Sequence, residues 1–252
     1  MAADLSSGGN AMRIGGWLAG VAALALASVN VPAGAGEVPE TVRNAVQRLV
    51  GTAAVETARA SPVPDFFEVR AAGEILYVSA DGRYLFHGNL YAVAERRNLT
   101  EDARREVRRD VLGGLEEDSL IVFAPAGETK HRLTVFTDVD CPYCAKFHLE
   151  VPDLNSAGVE VRYAAWPRTP PGTESHDRSI SVWCAGDRHR AMTDAKAGRD
   201  IAHASCPNPV QEHYETGRRL GVEGTPTLFT EDGTVFGGYV PFRELVRRLE
   251  QG

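Results

Sequence analysis

Two cysteines that are separated by two residues, Cys141 and Cys144, are the strongest chemical signal in the sequence. A Cys-x-x-Cys pair can hold a metal ion or exchange a disulfide. A zinc site with four cysteine ligands usually uses two close pairs, but the other two cysteines, Cys184 and Cys206, are isolated from each other. A purely structural disulfide across such a small loop would stabilise the fold little. The sequence therefore favours redox catalysis and predicts no metal site and no organic cofactor.

The segment around the pair predicts different roles for its two sulfurs. An apolar strand, HRLTVFTDV, leads directly into the cysteines, and CPYCAKFHLEVPDL has the pattern of a helix. Free N–H groups and the helix dipole stabilise an anion at a helix N-terminus, so we expect the pKa of Cys141 to fall from about 8.5 to roughly 3.5–7.5. Cys144, one turn further on, is expected to be more buried and to stay a thiol. Cys141 would then attack a substrate disulfide, and Cys144 would resolve the mixed disulfide.

The first 35 residues predict that the protein is exported. An apolar stretch over residues 17–29 follows Arg13, and small residues then end at Ala35, which is the layout of a secretory signal peptide cleaved near that residue. The stretch is short for the roughly 20 residues of a membrane-spanning helix. The four cysteines follow the signal and, in an oxidising compartment, allow three disulfide connectivities. A formal net charge of −7 argues against nucleic acid as a partner.

The next part of the chain predicts a small domain and a charged helix. VPETVRNAVQRLVG has apolar residues at helical spacing, and GEILYVSADGRYLFHGNLYAV predicts two strands about a turn at residues 80–82. About 60 residues bury little apolar surface on their own, and a second copy of the same sheet would remedy this. NLTEDARREVRRDVL then predicts a helix with an almost wholly charged surface, a type that commonly bridges domains.

The remainder has the order of elements of an α/β domain. The strand before the cysteines and the helix after them are followed by a strand GVEVRYAAWP, a long helical section, a hairpin about Asp232-Gly233 and a closing helix PFRELVRRLEQ. Pro226 follows Thr225 just before the strand of TPTLF, where a trans proline would be a poor choice. A cis bond there would bring the Thr225 backbone beside the sulfurs, ready to pair with an extended substrate.

Other polar residues near the pair are expected at the surface. Asp138 and Asp140 would oppose the thiolate if they were directed at it, so we expect them to be solvated or to cap the helix. Tyr143, between the cysteines, is expected to be exposed and is a candidate substrate contact. We also expect surface positions for three histidines: His148, His176 and His203.

Seven motifs, spread over nearly the whole mature chain, resemble one known family. They are, in order, GEILYVSADGRYLFHGNLY, TVFTDVDCPYC, VRYAAWPR, WCAGDRHRA, HASC, LGVEGTPTLF and GGYVPFRELV. In their sequence and order the chain resembles the bacterial periplasmic disulfide isomerases of the DsbC/DsbG family. The resemblance implies an α/β (α+β) molecule: a small α+β dimerisation domain over residues 36–98, a linker helix over 99–118 and a thioredoxin fold with a helical insertion over 119–252. It also implies a V-shaped homodimer in the periplasm.

The resemblance further implies roles for the site residues. Cys141 would be the nucleophile, Cys144 the resolving thiol, and Thr225-Pro226 the cis-proline loop that binds substrate. Cys184 and Cys206 match a structural disulfide of DsbC-type members, which DsbG-type members lack. One departure concerns CPYC, because its dipeptide is DsbG-like, whereas DsbC proteins more often have glycine before the tyrosine. The second cysteine pair and the overall similarity favour the DsbC type.

The expected function is therefore that of a thiol–disulfide isomerase and reductase that rearranges incorrect disulfides in exported proteins, with chaperone activity. The implied partners are misfolded exported proteins that contain disulfides, a second copy of the chain and a membrane reductase of the DsbD type. Two alternatives are a DsbG-like reductase of sulfenylated cysteines and a holdase chaperone that binds exposed apolar segments. A holdase would keep most of its activity after Cys→Ser substitution.

Overall fold

The N-terminal part of the described chain is a four-stranded antiparallel sheet with one helix packed on it. The structure is a computed structural model that describes residues 38–51 and 55–251. The predicted signal peptide, residues 1–35, lies outside the described residues. The helix is α1 (Glu40–Val50), and the strands are β1 (Val55–Ala60), β2 (Phe66–Ala71), β3 (Glu74–Ser79) and β4 (Leu85–His87). The order of the strands in the sheet is their order in the chain.

Apolar residues at helical spacing explain why α1 lies on this sheet. Val42, Ala45 and Val46 are buried on one face of the helix, where they pack with Val69 of β2 and Val78 of β3. The buried members of this cluster are no larger than leucine. A core of this size agrees with the expectation that so few residues bury little apolar surface on their own.

Helix α2 continues the chain from the N-terminal sheet. A two-stranded ribbon precedes it, and the ranges are β5 (Tyr91–Ala92), β6 (Arg97–Asn98) and α2 (Leu99–Leu112). The helix begins there because the Asn98 side chain accepts a hydrogen bond from the Glu101 N–H at 3.1 Å. It ends before a pair of glycines, which have low helix propensity.

One stripe of α2 is buried, although its surface was expected to be almost wholly charged. Ala103 and Val107 pack with Ile75 and Tyr77 of β3. The Tyr77 hydroxyl also shares a 2.7 Å hydrogen bond with the Thr100 hydroxyl at the start of the helix. These contacts anchor α2 on the N-terminal sheet.

A five-stranded mixed sheet forms the second part of the fold. Its strands are β7 (Ile121–Phe123), β8 (His131–Thr137), β9 (Val159–Ala165), β10 (Thr227–Thr230) and β11 (Val235–Gly237). The spatial order is β11-β10-β8-β9-β7, in which β8 and β9 are parallel and the other neighbours are antiparallel. Strand β8, which leads to the cysteines, is therefore the central strand.

The central strands are buried on both faces. Val135 of β8 and Tyr163 of β9 belong to one apolar cluster, and their neighbours Phe136 and Ala164 belong to another. Successive side chains of a strand point to opposite faces, so helices must cover the sheet on both sides. These are α3 (Pro142–Leu149), α4 (Val151–Ser156), α5 (Glu174–Trp183), α6 (Arg188–Lys196), α7 (Val210–Arg219) and α8 (Phe242–Leu249). Within the described residues, none of the helices combines the length and the apolar character that crossing a membrane requires.

The segment after the cysteines forms two helices, and the prediction of a single helix was wrong. Helix α3 ends at Leu149 and α4 begins at Val151. Pro152 lacks an N–H, and inside a continuous helix its ring would clash with the carbonyl of His148. The chain therefore turns at Glu150, whose carboxylate accepts hydrogen bonds from the Tyr239 hydroxyl at 2.7 Å and from the Phe242 N–H at 2.9 Å.

Candidate active site

The end of β8 places Cys141 at the N-terminus of α3. Cys141 has extended backbone angles (φ −77°, ψ 122°) and is the N-cap residue, and Pro142 occupies the first turn of the helix. Proline fits there because the first N–H groups of a helix have no partner within it. The free N–H groups of this turn face the Cys141 side of the motif. The sequence predicted this position for Cys141.

The two sulfurs have different surroundings. Both are free and buried thiols, 3% exposed at Cys141 and 0% at Cys144, whereas the adjacent Tyr143 is 63% exposed. Burial of Cys141 favours the neutral thiol, but the Thr225 side chain and the backbone of Cys144 and Tyr143, as hydrogen-bond donors to a thiolate, outweigh it, so the pKa of Cys141 lies below its ordinary value. Burial raises the pKa of Cys144, which the nearby charge of Lys196 only partly offsets. A thiolate therefore forms more readily at Cys141 than at Cys144.

A loop before β10 lies against the cysteines. The Thr225–Pro226 peptide bond is cis, and the Cys141 Sγ donates a hydrogen bond to the Thr225 carbonyl oxygen at 3.3 Å. The loop reaches this place because Thr227 pairs with Phe136, one residue before the end of β8. The Thr225 hydroxyl is buried and has no hydrogen-bond partner in the described part of the chain. It is therefore available to donate to a thiolate.

Asp138 is buried beneath the motif, so the expectation that it is solvated was wrong. Its side chain is 1% exposed in an ion pair with Arg168. One carboxylate oxygen accepts from the Arg168 backbone N–H at 2.7 Å and from its Nε at 3.2 Å, and the other accepts from the Asp140 N–H at 2.8 Å. The carboxylate thereby joins the segment of Arg168 to the loop between β8 and α3. Asp140 itself is exposed, as expected.

Lys196, which the sequence analysis missed, is buried under the cysteines. Lys196 is the last residue of α6, and its side chain is directed inward. Its Nζ donates to the Thr137 hydroxyl at 2.7 Å and to the Asp138 carbonyl at 2.6 Å. A signal was present in the sequence, because Lys196 continues the stripe that Ala191, Met192 and Ala195 form at helical spacing. A lysine on the apolar stripe of a helix is a candidate buried charge.

His148 is also buried, and its expected surface position was wrong. Its Nδ1 lies 3.0 Å from the Tyr163 hydroxyl, and its Nε2 lies 3.1 Å from the Thr193 hydroxyl. Burial, together with the charge of Lys196, lowers the pKa of His148 to about 4. His148 is thus neutral at physiological pH and part of the polar layer under Cys144. His176 is half-buried and His203 is exposed.

The second pair of cysteines is bonded. Cys184, at the end of α5, and Cys206, before α7, form a disulfide with an S–S distance of 2.04 Å and a Cα–Cα distance of 5.7 Å. Of the three connectivities that four cysteines allow, the structure has one bridge and leaves the Cys141 and Cys144 pair free. In the described residues, no group of histidine, cysteine, aspartate and glutamate side chains is arranged to hold a metal ion.

Known proteins match both parts of the chain. Residues 118–252 match the family model of the thioredoxin-like domain, and residues 30–101 match that of the disulfide bond isomerase protein N-terminal domain. The thiol:disulfide interchange protein DsbC of Dickeya dadantii is 37% identical over 192 residues, which are 75% of this chain and 78% of that protein. The DsbC of Escherichia coli is 34% identical over 191 residues, 76% of this chain and 79% of that protein. The chain belongs to the DsbC family.

Membership of the DsbC family confirms the predicted resemblance and fold class, a thioredoxin fold preceded by a smaller α+β part. It also identifies the protein as a thiol–disulfide oxidoreductase. Among solved structures, the disulfide interchange protein from Neisseria gonorrhoeae is 29% identical and covers 55% of this chain and 100% of its own, with a TM-score of 0.48.

Proposed function

We propose that this DsbC-family protein is an isomerase in which Cys141 is the nucleophile and Cys144 the resolving thiol. The observation that carries the proposal is the contrast between the two sulfurs. Cys141 lies at the N-terminus of α3 with a lowered pKa, whereas Cys144 is fully buried with a raised pKa. A thiolate that forms readily next to a thiol held in reserve suits attack followed by optional resolution.

The reaction begins with the Cys141 thiolate. It attacks one sulfur of an incorrect disulfide, so that a mixed disulfide forms and the other substrate sulfur leaves as a thiolate. That thiolate, or another in the substrate, attacks a different disulfide, and the last thiolate formed attacks the mixed disulfide and releases Cys141 as a thiolate. No electrons are gained or lost overall. If the substrate does not rearrange, the Cys144 thiolate attacks the Cys141 sulfur, and the substrate leaves reduced by two electrons.

Substrate binding is assigned to the loop of Thr225 and Pro226 together with Tyr143. The Thr225 backbone lies against the Cys141 sulfur, which is where an extended substrate segment must pass. Tyr143 is exposed beside it and offers an aromatic surface. The Cys184–Cys206 disulfide is assigned a structural role, because it ties α5 to the segment before α7.

The assembly and the compartment are part of the proposal. The match to the N-terminal domain of the disulfide bond isomerase protein supports a homodimer formed by residues 36–98, with residues 99–118 as the linker and 119–252 as the catalytic domain. Residues 1–35 would direct export to the periplasm and be cleaved near Ala35. Misfolded exported proteins with disulfides would be the substrates, and a membrane reductase of the DsbD type would return the oxidised pair to the dithiol state.

Isomerisation is favoured over the two alternatives. The matched relatives are named DsbC, and the DsbG-like reduction of sulfenylated cysteines rests on the CPYC dipeptide alone. A holdase function needs no free cysteines, whereas this site is built around two of them. Chaperone binding of misfolded chains accompanies the isomerase reaction in the proposal and does not replace it.

Reactivation of a ribonuclease with scrambled disulfides tests the proposal. The wild-type protein is expected to restore ribonuclease activity, and Cys141→Ser is expected to abolish the reaction. Cys144→Ser is the matched control, because it keeps the attacking thiolate and is expected to retain partial isomerase activity while trapping mixed disulfides. Activity of Cys141→Ser equal to that of the wild type would exclude the proposed nucleophile. A monomer by light scattering would exclude the proposed dimer.

A further inference from the structure

Lys196 carries a positive charge into the interior directly beneath the redox pair. Its side chain is 7% exposed, and its two hydrogen-bond acceptors, the Thr137 hydroxyl and the Asp138 carbonyl, are neutral. Within the described residues, no carboxylate lies within salt-bridge distance of its Nζ. A buried ammonium without a fixed counter-charge is costly, and two hydrogen bonds to neutral acceptors offset only part of that cost.

The titratable groups around Lys196 come from three segments, which are the loop after β8, helix α3 with its N-cap residue, and β9. The Asp138 carboxylate, in the loop after β8, is committed to Arg168, and Asp140 is exposed and paired with Arg178. His148 from α3 and Tyr163 from β9 are neutral at physiological pH because burial lowers the pKa of the first and raises that of the second. Among the negative groups, the Cys144 thiolate favours the charged form of the lysine most strongly, followed by the Asp138 carboxylate and then by the Cys141 thiolate.

Cys144 and Lys196 each favour the charged form of the other. Burial raises the pKa of the Cys144 thiol, and the charge of Lys196 is the largest effect that opposes the rise. Burial also lowers the pKa of Lys196, and the charge of Cys144 is the largest effect that opposes this fall. Each group is harder to charge alone than in the presence of the other. An ammonium has three hydrogens, and two are donated to Thr137 and Asp138, so one N–H remains free.

We propose that Lys196 is a positioning residue for the resolving step, in which its buried ammonium stabilises the Cys144 thiolate that attacks the mixed disulfide. This inference rests on the assignment of Cys144 as the resolving thiol. In the step, Cys144 loses its proton to solvent and its thiolate bonds to the Cys141 sulfur. The bond between Cys141 and the substrate sulfur breaks, and the departing substrate thiolate takes up a proton. The enzyme dithiol is thereby oxidised by two electrons and the substrate disulfide is reduced by two.

The consequence is a choice between the two outcomes of catalysis. A mixed disulfide ends either when a substrate thiolate attacks it, which is isomerisation, or when Cys144 attacks it, which is net reduction. A positive charge that raises the thiolate fraction of Cys144 accelerates net reduction and leaves the rate of isomerisation unchanged. Lys196 therefore sets how long a substrate has to rearrange before the enzyme releases it.

The test follows the resolving step with a substrate that needs no recognition. One equivalent of methyl methanethiosulfonate converts Cys141 into a methyl mixed disulfide, and attack by Cys144 then releases methanethiol. The release rate of the full-length protein is measured against pH. It rises with the thiolate fraction of Cys144 and reaches a plateau, so its midpoint reports the pKa of Cys144 in the mixed disulfide. Lys196→Met removes the charge and keeps an unbranched apolar stem in the same surroundings.

The expected result for Lys196→Met is a midpoint at higher pH with a plateau no lower than that of the wild type, because a thiolate of higher pKa is the better nucleophile. A shift of one pH unit lowers the thiolate fraction of Cys144 at neutral pH roughly tenfold, and we expect a shift of at least that size. Lys196→Arg keeps the charge and is expected to keep the midpoint, even if its larger head lowers the melting temperature. A folded Lys196→Met protein with the wild-type midpoint would overturn the proposal. If Lys196→Met does not fold, Lys196→Gln takes its place, and its midpoint is interpreted in the same way.

Two controls separate this inference from the assignment on which it rests. In Cys144→Ser the methyl mixed disulfide is expected to persist at all pH values. Release of methanethiol from that variant would mean that Cys144 is not the resolving thiol, whatever Lys196 does. Modification of Cys144 in place of Cys141 by the reagent would contradict the proposed nucleophile. A purely structural lysine would lower the melting temperature and the plateau together and leave the midpoint unmoved.

Discussion

Cys141 and Cys144 lie one helical turn apart, and the fold shifts the pKa values of their thiols in opposite directions. Cys141 contacts the loop of Thr225 and Pro226 and is the N-cap residue of α3, whereas Cys144 lies inside the helix with no exposed surface. The difference arises because burial prevails at Cys144, whereas hydrogen bonds from the Thr225 side chain and from backbone N–H groups stabilise a thiolate at Cys141. One local sequence motif thus holds a thiol with a lowered pKa beside a thiol with a raised pKa.

This contrast predicts selective alkylation at neutral pH. The reduced protein, treated briefly with iodoacetamide at pH 7, is expected to be modified at Cys141 and not at Cys144, since the pKa of Cys141 is lowered and that of Cys144 is raised. Peptide mapping by mass spectrometry measures the two sites separately. Cys144→Ala serves as the control, in which labelling of Cys141 should continue. Equal labelling of the two cysteines in the wild type would contradict the difference in pKa.

At the scale of elements, the turn between β10 and β11 meets helix α2. The Arg108 Nε donates to the Gly233 carbonyl at 2.6 Å, and Arg105 pairs with Asp232 in the same turn. A Cβ atom on Gly233 would overlap the Arg105 carbonyl, so glycine is needed there for close approach as well as for its positive φ of 83°. The charged face of α2 is therefore used for docking on the sheet that carries the active site.

Gly233→Ala is predicted to destabilise the protein more than a matched change elsewhere. Gly172 has the same φ of 83° but open space around its missing side chain, so Gly172→Ala tests backbone strain alone. We expect both variants to lose roughly 1–2 kcal/mol from strain. Gly233→Ala should lose a further 1–3 kcal/mol, on the order of the usual cost of overpacking, because the methyl group displaces α2. Urea unfolding measures both, and equal losses would show that α2 does not hold this turn.

The disulfide between Cys184 and Cys206 allows a second prediction at this scale. Replacing both residues with alanine removes a cross-link between positions 22 residues apart. The unfolded chain gains the entropy of the opened loop, so the free energy of unfolding should fall by about 3 kcal/mol. Urea unfolding without reductant measures the loss. Alkylation of Cys141 at pH 7 should remain as in the wild type, and an unchanged stability would contradict the structural role.

Elements with a periodic apolar face could be predicted from the sequence. The closing helix was expected from Phe242, Leu245, Val246 and Leu249, and α8 spans Phe242–Leu249 with Leu245 and Leu249 buried. Such a face can be buried in only one orientation, so its spacing determines both the helix and its packing. The break between α3 and α4 was also visible in the sequence as Pro152, but the apolar residues on either side of it outweighed that signal in the prediction.

The buried polar residues could not be predicted in the same way. Asp138, His148 and Lys196 are polar side chains whose burial depends on partners that are distant in the sequence, such as Arg168 and Tyr163. Composition and spacing record that these residues are polar, and a polar residue is most often exposed. Only the folded sheet brings the partners of Asp138 and His148 together, whereas Lys196 had a signal in the sequence, its position on the apolar stripe of α6.

At the scale of the whole molecule, two buried histidines couple stability to pH. His213 on α7 is fully buried, and its Nδ1 accepts a hydrogen bond from the Ala165 N–H at 3.2 Å, while Nε2 lies 2.9 Å from the Ser119 hydroxyl. Protonation of Nδ1 would place its new N–H against the Ala165 N–H, so that two donors would face each other without an acceptor. Burial lowers the pKa of His213 to about 4, as it does for His148. A histidine in the unfolded chain has a pKa of about 6.5.

The free energy of unfolding is therefore predicted to fall as the pH falls from about 6.5 to about 4. In this window the unfolded chain binds protons that the folded protein excludes, so acid favours unfolding. Above pH 6.5 both states are neutral and the contribution is fully present. Below pH 4 both are protonated and the loss levels off at roughly 3 kcal/mol for each histidine.

His213→Asn isolates one of the two contributions. The asparagine carbonyl can replace Nδ1 as the acceptor for the Ala165 N–H, but the side chain does not titrate. This variant should be less stable than the wild type at pH 7, because a smaller side chain leaves a cavity. The difference between the two proteins should shrink as the pH is lowered to 4.5, since only the wild type loses the histidine term. Carboxylates that titrate in the same range are common to both proteins and cancel in the difference. Urea unfolding at several pH values measures the difference in free energy of unfolding between the two proteins. A difference that stays constant from pH 7 to pH 4.5 would mean that His213 is not held neutral by the fold.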